Sequence, residues 1–145
     1  MFDHILIPTD GSDLSKKIIQ DCIALAKTAG ARITALHVIP EFHIFTYQTG
    51  MLEDTREQFS RDSIAQAKKY LEEIESAAKE AHVKCNTIYL VNDSPFEAII
   101  KSAENEKCDL IAMASHGRKG VKGFLLGSET QKVLTHSQIP VLVFR

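Results

Sequence analysis

No apolar run in the 145-residue sequence approaches the roughly 18 residues that a membrane-spanning helix needs. The opening "MFDHILIPTD" also lacks the basic segment of a secretory leader, so a cytoplasmic protein without membrane attachment is expected. Excess positive charge is missing too: 17 Lys and Arg stand against 19 Asp and Glu, a formal net charge of -2. That balance offers no electrostatic footprint for nucleic acid or anionic lipid. Cysteine is scarce. Cys22, Cys85 and Cys108 are odd in number, far apart and set in apolar surroundings, which reads as buried thiols of a reducing compartment. The six histidines form no H-x-x-x-H pair and do not group with the cysteines, so no dedicated metal site is expected from them. Two phosphate motifs with known mechanics are absent as well: there is no G-x-x-x-x-G-K-[ST], and no G-x-G-x-x-G opens the first helix.

What remains is an ordinary globular composition, 44% apolar and 25% charged, at a length suited to one domain over residues 1–145. Short apolar runs alternate with amphipathic stretches. His4 to Ile7 is too short for a helix and is stopped by Pro8, so it reads as a buried strand. Ser12 caps a helix whose Ile18, Ile19, Cys22, Ile23 and Ala26 make an inward stripe, and Gly30 ends it. "ARITALHVI" is a second strand. Residues 41–55 show no period and are expected to form an irregular excursion, with Phe42, Phe45, Tyr47, Met51 and Leu52 as its apolar surface, that becomes ordered when nucleotide or a partner binds; the alternative is a loop packed permanently against its own domain or a dimer partner. A helix from Arg56 to Ala81 and the strand "VKCNTIYLV" follow. Ser94, Pro95 and Glu97 then supply an N-cap, a first-turn proline and a capping-box acid. "DLIAMA", a glycine-rich loop, the helix "SETQKVLTH" and the strand "PVLVF" complete the chain. This alternation implies a Rossmann-like α/β domain: an open, mostly parallel five-stranded sheet, order 3-2-1-4-5, with helices on both faces.

In such sheets ligands bind outside the carboxyl ends of the strands, where the winding reverses. With the order 3-2-1-4-5 the reversal lies between the first and fourth strands, and a polar cluster follows each: "PTDGS" and "ASHGRKGVKGFLLGS". Asp10 is placed to meet ribose hydroxyls or a nucleotide-bound divalent cation; its plainer role is to face the N-terminus of the helix that starts near Ser12. Gly117 permits a tight turn after the strand. Gly127 and Ser128 bring unpaired N–H groups and a hydroxyl to a helix start, where the dipole also favours an anion. The alternative is a mobile glycine-rich surface loop. Arg118, Lys119 and Lys122 suit solvent as well as phosphate, and His116 has no nucleophile or second base in evident partnership, so no catalytic role is expected of it.

Taken together, "ILIPTDGS", "ALHVI", "CDLIAMASHGRKG" and "LLGSETQKVLTHSQIPVLVFR" resemble the universal stress protein family over essentially the whole chain. The resemblance implies a small cytoplasmic α/β protein, commonly a homodimer, that binds ATP or AMP through a G-x-x-G-(nine residues)-G-[ST] motif. Gly117, Gly127 and Ser128 fit that motif, whereas Ala114 replaces its first glycine. Carried over by position, the resemblance puts Pro8, Thr9 and Asp10 near ribose and phosphates and gives adenine the main chain of Val38. Met113 and Ala114 would lie along the nucleotide, with Gly117, Gly127, Ser128, Glu129 and Thr130 around the phosphates. The Glu129 carboxylate is expected to turn to solvent, away from them.

The function implied is a stress-response or regulatory protein that binds an adenine nucleotide, with Mg accompanying it, and acts through partners. Two alternatives stand beside it: a dimeric interaction protein of the same fold whose nucleotide affinity Ala114 has removed, and a weak ATP hydrolase. "PTDGSD" resembles the S-G-G-x-D-S loop of adenylylating domains but lacks the Ser-Gly-Gly portion, so dedicated turnover is not expected. The terminal strand, at a sheet edge, is the expected dimer contact.

Overall fold

The computed structural model describes residues 1–43, 49–117 and 126–145, with residues 49–54 described by their backbone alone. Short apolar runs become strands because each is too brief to complete a helical face. β1 (His4–Pro8), β2 (Arg32–Ile39), β3 (Cys85–Val91), β4 (Leu110–Ala114) and β5 (Val141–Phe144) form one sheet in the order β3-β2-β1-β4-β5. Every pairing is parallel. The expected 3-2-1-4-5 order is therefore observed.

Helices α1 (Asp13–Ala29), α2 (Thr49–Glu80), α3 (Pro95–Asn105) and α4 (Ser128–His136) cover two faces. Alternation along the strands decides which side chain meets which helix. Ile5, Ile7, Ile33, Ala35, Ala112 and Ala114 point into a core under α1 and α2, where Ile18, Cys22, Leu71 and Ile74 meet them. Leu6, Leu36, Ile111 and Met113 point to the other face, against Ile99, Ala103 and Val133 of α3 and α4.

Three helices end in the same way, and this fixes how each enters the next strand. The N–H groups of Ala31, Val83 and Cys108 reach back to the carbonyls of Ala26, Ala78 and Ala103, each at 2.8 Å. The residue before each donor is left-handed: Gly30 at φ 70°, His82 at 61° and Lys107 at 56°. These are Schellman closures, with a buried apolar pair beneath each.

Two local expectations need correction. The second helix begins at Thr49, not Arg56, because once a long helix is nucleated each further residue adds a hydrogen bond at little cost, and "MLEDT" needs no apolar period to be recruited. Of the expected excursion, residues 44–48 lie outside the described residues, as do the side chains of Met51 and Leu52. Ser94 does occupy the N-cap of α3 with Pro95 behind it, yet its side chain makes no capping bond. Its own N–H is instead drawn to Asn92 Oδ1 at 2.8 Å. Cys22 and Cys108 are buried as expected, whereas Cys85 is half-buried. Burial pushes the three thiols up to about 12, 12 and 11 respectively, which leaves them poor nucleophiles.

Candidate nucleotide cleft

β1 stops pairing with β2 at Pro8↔Leu36, and Thr9 N–H makes a last bond to Leu36 O at 2.8 Å. Beyond that point the chain turns away, so Val38 keeps β3 as its partner and, among the described residues, has no strand on its β1 side. A cleft of about 610 Å³ opens at the carboxyl ends of the strands, floored by Leu36, Val38, Ile99 and Met113.

The β1 wall is built around one glycine. Gly11 has φ 74° and any Cβ there would fall inside the Tyr70 ring. Tyr70 in turn meets the edge of His37, with ring centroids 5.2 Å apart, and His37 Nδ1 donates to Thr9 O at 2.8 Å. Asp10 Oδ1 accepts from Ser12 N–H at 2.9 Å and from Ser15 Oγ at 3.1 Å. Its plainer role, charge at the start of α1, is thus realised, while the residue also lines the cleft.

The opposite wall comes from β4 and α4, and close backbone approach explains its glycines. At Gly117 a Cβ would collide with Asp10 Oδ2, so the loops after β1 and β4 touch where the sheet's winding reverses. At Gly127, whose φ of -60° any residue could adopt, a Cβ would lie 2.9 Å from His116 Cα and 3.3 Å from Ser115 O. The Gly127 N–H donates to Ser115 O at 2.7 Å. That corrects one expectation: Gly127 spends its donor on the fold. α4 starts at Ser128 without a side-chain cap, so the first-turn N–H groups of Ser128, Glu129 and Thr130 face the cleft end of that helix. The Thr130 hydroxyl is buried and donates to Ala114 O at 3.0 Å, fastening α4 to β4.

Glu129 departs from its expected place in solvent. Its Oε2 accepts the Phe96 N–H of α3 at 2.9 Å, and Oε1 meets Lys132 Nζ at 3.1 Å. The α3 terminus lacked a capping side chain of its own, and a carboxylate in the first turn of α4 fills that need. Ala114 is also resolved: its residue lines the cleft, but its side chain belongs to the core under α1 and α2. Ser115 Oγ and His116 Nδ1 lie 3.0 Å apart. Arg118, Lys119, Lys122, Gly120 and Gly123 lie outside the described residues.

All eleven positions singled out in the sequence, Pro8, Thr9, Asp10, Val38, Met113, Ala114, Gly117, Gly127, Ser128, Glu129 and Thr130, line this one cleft. A model of the universal stress protein family matches residues 1–145. The chain belongs to that family. It is 34% identical to the universal stress protein YxiE of Bacillus subtilis, with the whole of both chains covered. It is 31% identical to the universal stress protein MJ0577 of Methanocaldococcus jannaschii, covering all of this chain and 96% of that one. The solved structure of MJ0577 superposes with a TM-score of 0.83 over 99% of this chain and 95% of the other. Two further members of the family share the fold at TM-scores of 0.72 and 0.70; they were determined in complex with cAMP and, for the one from Archaeoglobus fulgidus, with dAMP.

Sequence reasoning missed Pro40, Asn92, Asp93 and Pro95, which also line the cleft. The crossover from β3 to β4 carries α3 back over β2, so the β3 loop reaches a site that strand order alone assigns to β1 and β4. The polar run "NDSP" at a strand end was the available signal.

Proposed function

We propose that this universal stress protein is a single domain of residues 1–145 that binds an adenine nucleotide, ATP or AMP, in the cleft between β1 and β4. It is a cytoplasmic regulatory protein that acts by presenting its nucleotide state to partners. The observation that carries the reading is the convergence of the eleven positions on one cleft of about 610 Å³, large enough for a nucleotide. The base lies over Val38, whose main chain on the β1 side is open to a ligand. Phosphates meet the uncapped start of α4, where N–H groups and dipole favour an anion.

Among the described lining residues Asp10, Asp93 and Glu129 are acidic, which makes a neutralising cation on the phosphates valuable. Mg fits beside Asp10, since that ion takes one or two carboxylates together with phosphate oxygens and water. It would offset phosphate charge there. That relatives of the same fold hold cAMP and dAMP supports adenine as the base. Ala114 does not count against binding, because its methyl packs in the core.

Binding is the function, and hydrolysis of ATP is expected to be slow. Dimerisation is proposed through β5, which among the described residues pairs with β4 alone at the sheet edge and exposes Leu142, with Leu134 of α4 also exposed. Equilibrium dialysis against ATP and AMP tests the reading: a micromolar dissociation constant for either is expected, and values above about 1 mM for both refute it.

A further inference from the structure

We propose that Glu41, His43 and Asp93 form a binding site for a divalent transition-metal ion at the rim of the cleft, separate from any cation carried on a nucleotide. The three residues come from two places: the segment leaving β2 and the loop leaving β3. Their ligand atoms, one imidazole nitrogen and two carboxylate oxygens, all lie within 4.8 Å of one another. Donors about 2.0–2.2 Å from a tetrahedral ion sit about 3.3–3.6 Å apart, so small side-chain rotations complete the arrangement. His43 Nε2 is already in direct contact with Asp93 Oδ2. An ion bound there takes the place of that direct contact.

The pieces are held before any ion arrives. Asp93 Oδ1 accepts the Glu41 N–H at 2.8 Å. Between Glu41 and His43, the Phe42 ring packs on Phe59 of α2 with centroids 5.0 Å apart. On the other side Asn92 donates its N–H to Ile39 O at 2.9 Å, which ties the β3 loop to the end of β2.

The donor set selects the ion. Mg²⁺ and Ca²⁺ favour oxygen donors alone, whereas imidazole with carboxylates suits Zn²⁺, Co²⁺, Ni²⁺ or Mn²⁺. Two carboxylates also balance the charge of a divalent ion. Three protein donors leave a position for water or for a group bound in the cleft. Adjacent strands lie about 4.8 Å apart, so the β2–β3 rim is about 10 Å from the gap between β1 and β4. One ion with bonds of about 2 Å cannot serve both places. Spacing rules along the sequence could not show this site, because Asp93 is fifty positions from His43.

Titration of the chelator-treated, nucleotide-free full chain with Zn²⁺ by calorimetry, and with Co²⁺ by its visible absorption, tests the proposal. One ion per chain with a micromolar dissociation constant is expected. His43→Ala and Asp93→Asn each weaken it at least tenfold, while His136→Ala, on α4, leaves it unchanged. All three proposed ligands are exposed, so the variants keep the fold, which circular dichroism verifies. Absence of saturable binding, or wild-type affinity in His43→Ala, overturns the site. No nucleotide is present in the titration, so the outcome is independent of nucleotide binding.

Discussion

Replacing Gly127 with Ala separates close backbone approach from backbone conformation. The φ of -60° is ordinary for alanine, so the substitution carries no conformational strain of its own. The new methyl, however, would lie 2.9 Å from His116 Cα and 3.1 Å from His116 Cβ. Neither can swing aside as a flexible side-chain end would, so α4 and the end of β4 must part. Overpacking of this kind costs about 1–3 kcal/mol, and weakening the Gly127–Ser115 hydrogen bond adds about 0.5–1.5 kcal/mol. At about 2–4 °C per kcal/mol for a chain of this size, the melting temperature should fall by several degrees. Because the displaced element is the phosphate-facing end of α4, nucleotide affinity should drop at least about tenfold, or roughly 1.4 kcal/mol. Gly30→Ala supplies the control. Its φ is 70° and nothing lies within 4 Å of the added methyl, so it should cost about 1 kcal/mol of stability and leave nucleotide binding unchanged. Calorimetric titration of both variants with AMP and ATP decides the matter; equal affinities for Gly127→Ala and wild type would refute the placement of the phosphates.

Ala114→Gly should not improve nucleotide affinity, and it should lower stability by about 0.5–1 kcal/mol in urea unfolding, because a core methyl is lost from a strand. Lys107→Gly should raise stability by about 0.5–1 kcal/mol in the same assay, since Lys107 holds φ 56° at the end of α3. Folded His4 is pushed below its ordinary value of 6.5 by burial and then by Arg32, against a partial counter-effect from Glu106 and Asp109. Its Nε2 bonds Thr34 Oγ1, and its Nδ1 is buried without a side-chain hydrogen-bond partner among the described residues. The unfolded chain therefore takes up a proton that the folded one refuses, and stability should decline as pH falls below about 6.5 and level off beneath the folded value; His4→Gln should flatten that slope by at most about 1.4 kcal/mol per pH unit. Leu142→Pro should shift sedimentation from dimer to monomer by breaking the β5 edge, and a monomeric wild type at micromolar concentration would remove the basis for that contact.

The fold was legible because its signals are local and repeated. Apolar runs of four to eight residues were separated by helical stripes, and left-handed crossovers are excluded by strand twist, so few topologies remained. Parallel strand ends then placed Asp10 and Gly127 in one crevice from order alone. What stayed hidden depends on contacts between distant segments. Glu129 reaches Phe96 across two helix termini, and no sequence spacing reports that a carboxylate on α4 caps α3. Similarly, the reason for Gly127 is the approach of His116, which becomes visible only when β4 and α4 are packed. The start of α2 escaped because helix propagation, unlike nucleation, leaves no periodic mark.

The most direct test of the central claim is amide chemical-shift mapping during titration with AMP. Saturable shifts are expected at Val38, Met113, Ala114, Gly117 and the first turn of α4, Ser128 to Thr130, with a micromolar midpoint. No shifts at about 1 mM AMP, or shifts confined to the outer faces of β5 and α4, would contradict it.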